Sequence, residues 1–197
     1  MIQLGDLNFK IGSVNPSGID TEIYRIARKD ISAWPSIVDD LDDADADDPA
    51  EMAVYDGNFT LKTGKHFDRI YSTFGKGEAS YEVVGEDDCK MFNNKLTISF
   101  PKLTPEAQAF AKAAANGQFV YVFKHDGKYR VIGSKDYPTV TAPNGNTGNT
   151  AGSAKGNTIE VTAPDVTPLP IYEGTLQLSD GSLNCATGEF TPTPSAG

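Results

Sequence analysis

Short segments in which apolar and polar residues alternate constrain the fold of this chain more than any other feature. In the segment NKLTISF (94–100), Leu96, Ile98 and Phe100 lie on one side, and lysine, threonine and serine lie between them. A repeat of two residues is typical of a half-buried β-strand. Further strand patterns occur in the segments 58–62, 66–74, 79–84 and 157–163. The chain is therefore predicted to be mainly β.

Two adjoining segments predict the centre of a sheet. The segment FVYVF (119–123) is apolar at every position, which favours a central strand covered on both faces. The tripeptide HDG (125–127) follows it, and Asp-Gly tolerates the positive φ angles of a tight hairpin turn. The segment 128–133 is the predicted return strand.

One α-helix is predicted over 104–116. Thr104 is a good N-cap, Pro105 suits the first helical position, and Asn116-Gly117 is a typical stop signal. The single large apolar residue, Phe110, predicts that a narrow stripe of the helix packs on the sheet. A shorter helix is expected within 27–36, where Pro35 limits its length.

The chain also has polar segments that lack core-forming residues. We expect a single β-rich domain over 1–180, an acidic loop at 39–51, a Gly/Asn/Thr-rich loop at 143–157 and a loose tail at 181–197. Loops this long are uncommon in a compact domain unless they have a use.

The acidic loop DDLDDADADDPAE accounts for most of the net charge. The whole chain has 17 basic and 27 acidic residues and a net charge of −10, whereas outside this loop 17 basic residues face 19 acidic ones. A chain with this balance is a poor candidate for binding nucleic acid through its phosphates. The eight carboxylates are those of Asp39, Asp40, Asp42, Asp43, Asp45, Asp47, Asp48 and Glu51.

A calcium-binding loop fits neither possible register of this run. Starting at Asp43, the sixth position is Asp48, where the turn requires glycine, and the twelfth is Val54, where a glutamate is required. Starting at Asp40, Glu51 falls at twelve, but Ala44 falls at five. A solvated loop extended by charge repulsion is the favoured interpretation.

The remaining residues offer no catalytic or metal-binding pattern. His66 and His125 are each isolated, and no serine or cysteine has the spacing of an activated nucleophile. We therefore expect no enzymatic activity, no cofactor and no metal. The N-terminus lacks a signal-peptide pattern, and no apolar run approaches the length of a membrane span. Cys89 and Cys185 lie in polar stretches of what is expected to be a reduced, soluble, intracellular product, with a bridge between them as the alternative.

Two regions resemble a known family. The segment 107–174 combines the helix, a hairpin ending in RVIGS, a loop around NTGNTAG, the strand NTIEVTA and a closing PLPIYEG. This order is similar to the C-terminal half of bacteriophage tail tube proteins, particularly those of phages with Bacteroidetes hosts. The segment SGIDTEIYRIARKDISAWP (17–35) resembles the opening of such proteins. Together the two regions cover about half of the chain.

The resemblance implies a β-sandwich or barrel with a flanking helix, assembled into hexameric rings that stack into a tube. The expected partners are further copies of the chain and other tail proteins, namely a tape measure, a terminator and, in contractile tails, a sheath. The expected location is the virion tail, after synthesis in the bacterial cytoplasm. DNA would pass through the tube without specific binding, and six copies of the acidic loop would supply 48 carboxylates to repel its phosphates.

The Gly/Asn/Thr-rich loop is a candidate contact between subunits. Its apolar surface is too small to offset an ordering cost of about 1–2 kcal/mol per residue. We therefore expect it to become ordered against a neighbouring subunit. The residues concerned are Asn144, Gly145, Asn146, Thr147, Gly148, Asn149, Gly152 and Lys155.

Two alternative functions stay open at the level of sequence. The first is another head–tail, neck or decoration protein of the virion, which the residues do not separate from a tube subunit. The second is a non-enzymatic β-sandwich binding module, for which exposed aromatic residues would be expected. Trp34 is the only tryptophan of the chain and precedes a proline.

A melting experiment tests the interpretation of the acidic loop. Replacing Asp43, Asp45 and Asp47 with glutamate keeps the charge and should leave the melting temperature unchanged. Low millimolar calcium should likewise produce no shift, because a ligand stabilises only the state that binds it. A rise of several degrees with calcium, lost in the glutamate variant, would contradict charge repulsion and indicate a metal site.

Overall fold

The computed structural model describes residues 6–38, 48–150 and 153–193. These residues contain one α-helix, α1 (Pro105–Ala114), and two 3-10 helices, Arg28–Asp30 and Pro49–Ala53. The strands are, in chain order, β1 (Glu22–Ala27), β2 (Ile31–Ala33), β3 (Val54–Tyr55), β4 (Thr60–Leu61), β5 (Asp68–Tyr71), β6 (Glu78–Val84), β7 (Met91–Phe100), β8 (Phe119–His125), β9 (Lys128–Ile132), β10 (Val140–Asn146), β11 (Gly156–Asp165), β12 (Ile171–Tyr172), β13 (Thr175–Leu178), β14 (Gly181–Asn184) and β15 (Phe190–Pro192).

Four sheets arise from these strands. The largest has the order β3-β12-β9-β8-β1-β5, and a second has the order β10-β11-β7-β6. The strands β13, β14 and β15 form a third sheet, and β2 pairs with β4. All pairings are antiparallel except that between β12 and β3. The prediction of a mainly β chain is confirmed.

Strand β8 is buried on both faces, as its apolar sequence predicts. Val120 and Val122 point to one side of the large sheet, and Tyr121 and Phe123 point to the other. All four side chains are fully buried. The next residues form the predicted hairpin, in which Asp126 and Gly127 both have positive φ angles, 48° and 75°. The central strand therefore separates two apolar cores.

The first core lies between the six-stranded and four-stranded sheets. Leu96, Ile98 and Ile159 of the smaller sheet pack against Tyr121 and Phe123 of the larger one. Alternate residues of each strand point into this core, so the two sheets face each other across it. This arrangement is a β-sandwich. The structure thus confirms a β-sandwich with a flanking helix.

The second core fills the opposite face of the large sheet and is rich in aromatic rings. Phe59 lies at its centre, with ring centroids 5.0 Å from Tyr172, 5.6 Å from Trp34 and 5.8 Å from Phe67. The Tyr172 hydroxyl accepts a hydrogen bond from the Phe59 amide and donates one to the Thr175 carbonyl. The three-stranded sheet covers this core with apolar side chains that include Leu176, Leu178 and Leu183.

Helix α1 forms where the sequence predicts it. The Thr104 hydroxyl accepts a hydrogen bond from the Ala107 amide, and Pro105 is the first helical residue. Phe110 packs against the first core, where the Arg25 guanidinium lies 4.4 Å from its ring centroid. The helix thus covers one margin of the sandwich.

Three local expectations need correction. The short helix expected within 27–36 is a single 3-10 turn, Arg28–Asp30, between β1 and β2, because Ile26 and Ile31 are buried in the second core. The expected tail at 181–197 contains β14 and β15, since Leu183 is also part of that core. The expected loop at 143–157 begins and ends in the paired strands β10 and β11. The two cysteines are free, Cys89 exposed and Cys185 buried.

Truncation of the sandwich core should destabilise the protein. Leu96→Ala removes a side chain that is 1% exposed, and we expect the free energy of unfolding to fall by about 2–5 kcal/mol. Val140→Ala on the exposed face of β10 is the matched control and should change it by no more than about 0.5 kcal/mol. Urea unfolding followed by circular dichroism measures both, and equal effects would contradict the assignment of the core.

Candidate functional site

Most of the predicted acidic surface lies outside the described residues. This applies to Asp39, Asp40, Asp42, Asp43, Asp45 and Asp47. Asp48 caps the 3-10 helix Pro49–Ala53, where its carboxylate accepts a hydrogen bond from the Ala50 amide at 2.9 Å. Glu51 lies in the first turn of that helix. Asp48 therefore has a local structural role, and the role of the run as a whole stays a prediction.

The Gly/Asn/Thr-rich segment is a β-hairpin with a shorter loop than expected. Asn144, Gly145 and Asn146 belong to β10 and pair with residues 158, 157 and 156 of β11. The connection starts at Thr147, Gly148 and Asn149 and ends at Lys155, whereas Gly152 lies outside the described residues. Within it, the Ser153 hydroxyl donates to the Asn149 side chain at 2.6 Å. The role of this loop between subunits stays a prediction.

The buried polar side chains of Asp165 and Asn94 hold the segment that follows β11. Burial raises the pKa of the Asp165 carboxyl, which accepts a hydrogen bond from the Thr167 amide. The neighbouring Asn94 side chain bonds the Thr167 carbonyl and the Leu169 amide, and so ties the chain after β11 to β7. The His125 ring lies 2.6 Å from the Gly18 carbonyl oxygen. No three histidine, cysteine or carboxylate side chains come together as a possible metal site in the part of the chain that is described.

The edge of the smaller sheet at β6 is exposed, since six of the seven residues of this strand are exposed. The Thr73 amide donates a hydrogen bond to the Ser99 carbonyl, and the Ser99 amide donates one to the Ser72 hydroxyl. The backbone groups of Ser99 therefore point toward the β6 side of β7. Backbone direction alternates along a strand, and the register is unbroken, so Lys95 and Asn93 also point toward β6. Their partners in β6 are residues 80 and 82.

It follows that the intervening residues of β6 direct their backbone groups out of the sheet. The N–H and C=O groups of Ala79, Tyr81 and Val83 point to a side on which no described strand lies. The side chains of Tyr81 and Val83 are 54% and 57% exposed. Unpaired backbone groups beside exposed apolar side chains are typical of a strand that pairs with another chain.

The apolar face of β6 continues the face that forms the sandwich core. Ala79 packs against that core, and Tyr81 and Val83 follow on the same face. Val83 pairs with Phe92, and the rings of Tyr81 and Phe92 meet edge to face at 5.9 Å. The β6–β7 hairpin thus carries apolar side chains beyond the region that the large sheet covers.

The other sheet edges in the described residues are shorter than β6, bridged by backbone bonds, or interrupted by proline. In β10, Pro143 removes one backbone donor. On the outer side of β5, the Phe67 amide bonds the Gln177 carbonyl and the Thr73 amide bonds the Ser99 carbonyl. Only the short stretch of backbone between these two bonds is left without a partner strand. Strands β3 and β15 have two and three residues. Among the described edge strands, β6 and β10 each have seven residues, and of the two only β6 contains no proline.

The N-terminal arm, residues 6–17, is the second exposed feature. It has no assigned strand or helix, and all of its residues are exposed. Leu7, Phe9 and Ile11 alternate with polar residues in a strand-like pattern, yet all three lie in solvent. Sequence reasoning missed the arm, although this alternation was a usable signal. It also missed the open edge, because only the sheet order shows that β6 has a single neighbour.

Comparison of the chain with protein-family models, curated proteins and solved structures finds no match. In the described residues, no helix combines the length and apolar character needed to cross a membrane.

A loop replacement tests whether the β10–β11 connection contacts a neighbouring subunit. Because Asn146 pairs with Gly156, residues 147–155 can be replaced by Asn-Gly, a two-residue turn that suits such a hairpin. We expect the melting temperature to stay within a few degrees and subunit association to be lost. A second variant, with Gly/Ser residues in the original length, controls for loop size. Unchanged association in both variants would identify the loop as a connector only.

Proposed function

We propose that this protein is a structural subunit of a bacteriophage tail tube, which self-assembles into stacked rings that conduct DNA. The observation that carries the proposal is the open edge of β6 on a β-sandwich with a flanking helix. Such an edge is a natural contact for a second copy of the same chain, and a contact between two different surfaces repeats around a ring when its rotation closes.

The resemblance of 17–35 and 107–174 to tail tube proteins supports this function over other kinds of self-association. The described elements of these regions include β1, α1, the β8–β9 hairpin and the β10–β11 hairpin. These elements supply the central strands of the large sheet and half of the smaller one. The resemblance thus involves the core of the domain as well as its surface loops.

The charge of the chain supports a conduit for DNA. A polyanion slides freely only where the protein makes few phosphate contacts, and the net charge of −10 disfavours such contacts. The turn between β6 and β7 also contains Glu86, Asp87 and Asp88, all exposed. In a ring, this turn and the acidic loop are the two candidate surfaces for repelling DNA.

Electron microscopy of the purified full-length protein tests the proposal. We expect rings or stacked tubes with a central hole in negative stain, and association that increases with protein concentration. Light scattering gives the corresponding mass in solution. A monomer at millimolar concentration would contradict the proposed function. Closed particles without a channel would instead favour another virion component.

A further inference from the structure

Two unpartnered features of the same chain have matching chemistry. One is β6, an edge strand with outward N–H and C=O groups at residues 79, 81 and 83. The other is the N-terminal arm, which has an alternating apolar pattern but no strand to pair with. We propose that the arm of one subunit adds as a strand to β6 of a second copy. The inference rests on the proposed self-assembly and names the segment that makes the contact.

The arm can form the hydrogen bonds that β6 requires. Residues 6–15 contain no proline, so each has a backbone N–H, of which that of Ser13 already bonds the Lys10 carbonyl, and Pro16 lies beyond this stretch. The arm residues 7–11 would span about 17 Å as a strand, which is enough to pair with five of the seven residues of β6. Backbone pairing and burial of the apolar side chains would together supply the affinity, and the side chains would also select the face and the register.

The side chains of the two strands match on both faces. When Leu7, Phe9 and Ile11 lie on the face of Tyr81 and Val83, apolar groups meet that would otherwise stay in water. The other face of the arm then carries Asn8 and Lys10. The corresponding face of β6 carries Glu78 and Glu82. Because Glu82 already pairs with Lys95 at 2.6 Å, Glu78 is the carboxylate that Lys10 would approach.

The position of the arm favours exchange between copies. The arm is anchored at Ile19, which is 9% exposed and packs so closely on Gly77 that a Cβ there would lie 2.6 Å from its side chain. Gly18, with a φ of 80°, turns the chain just before this anchor. Although the anchor adjoins the start of β6, the arm does not pair with the outer side of β6 in its own subunit. Each subunit therefore has an arm that can be added as a strand and a β6 edge that can receive one.

The contact would be heterologous, because the arm and β6 are different surfaces. Each subunit would give its arm to one neighbour and receive an arm from another. Such a contact repeats and closes into a ring or extends into a filament, whereas a symmetric pair would stop at a dimer. The two halves of the interface can therefore be disabled separately and tested by mixing.

The experiment uses two variants of the full-length chain. The arm variant carries Leu7→Ser, Phe9→Ser and Ile11→Ser, and its control is Val14→Ser in the same arm. The edge variant carries Tyr81→Pro and Val83→Pro, which remove outward N–H groups and spare the bonds between β6 and β7. Its control is Val140→Thr on β10, the edge strand at the other side of the same sheet, which lies outside the proposed contact. Thermal melting followed by circular dichroism verifies that all four proteins fold.

We expect each variant alone to be monomeric under conditions in which the wild type and both controls assemble. A one-to-one mixture of the variants should form a heterodimer of twice the subunit mass, because one intact arm and one intact edge remain. Sedimentation velocity and native mass spectrometry measure these masses. The heterodimer should not grow further, since its outer arm and outer edge are both disabled.

Other outcomes separate this inference from the proposed function. Assembly of the arm variant, together with loss of assembly in the edge variant, would overturn the arm as occupant and leave the tube function standing. Assembly of the edge variant would overturn β6 as the acceptor. A wild type that stays monomeric at every concentration, with amide protection of residues 7–11 at all of them, would show pairing within one chain and overturn both.

Discussion

Burial of β8 on both of its faces is the constraint on which the rest of the structure depends. A strand with apolar side chains at every position cannot face water on either side, so one layer must cover each face. The four-stranded sheet covers Tyr121 and Phe123, and the three-stranded sheet with the Phe59 cluster covers Val120 and Val122. The layered architecture follows from this single requirement.

The layers that cover β8 are open sheets, and an open sheet has an edge strand at each side. This chain interrupts the edge at β10 with Pro143 and bridges the edge at β5 by single backbone bonds at Phe67 and Thr73. It does not close β6, where seven residues pair on one side only. An edge of this length is a liability for a protein that works as a monomer. It is an asset for a subunit that must find further copies of itself.

The arm and the edge also explain why this surface carries no chemistry of its own. Strand addition derives its affinity from backbone groups, which every residue has, and its selectivity from the pattern of alternate side chains. A surface of this kind needs no nucleophile, metal ligand or buried charge. Its specificity lies in the match between Leu7, Phe9 and Ile11 and the exposed face of Tyr81 and Val83. The polar faces add a weaker, salt-sensitive preference.

Local patterns alone determined the existence and type of most elements. The alternation of 94–100, the apolar run 119–123, the Asp-Gly turn and the Thr104 cap each depend on residues close in sequence, so they could be predicted without the fold. The 3-10 turn at Arg28–Asp30 and the strands β14 and β15 could not. Their conformation depends on Ile26, Ile31 and Leu183 reaching a core built by distant strands.

The candidate interaction surface, formed by the arm and β6, was likewise predictable from the sequence only in part. The alternating residues of the arm are visible in the sequence, as is the strand pattern of 79–84. Which strand has only one neighbour is decided by long-range pairing, since β6 is an edge only because β11 occupies the other side of β7. Hydrophobic periodicity is a property of consecutive residues. The exposure of an edge is a property of the assembled sheet, and so only the tertiary structure decided where this chain can receive another strand.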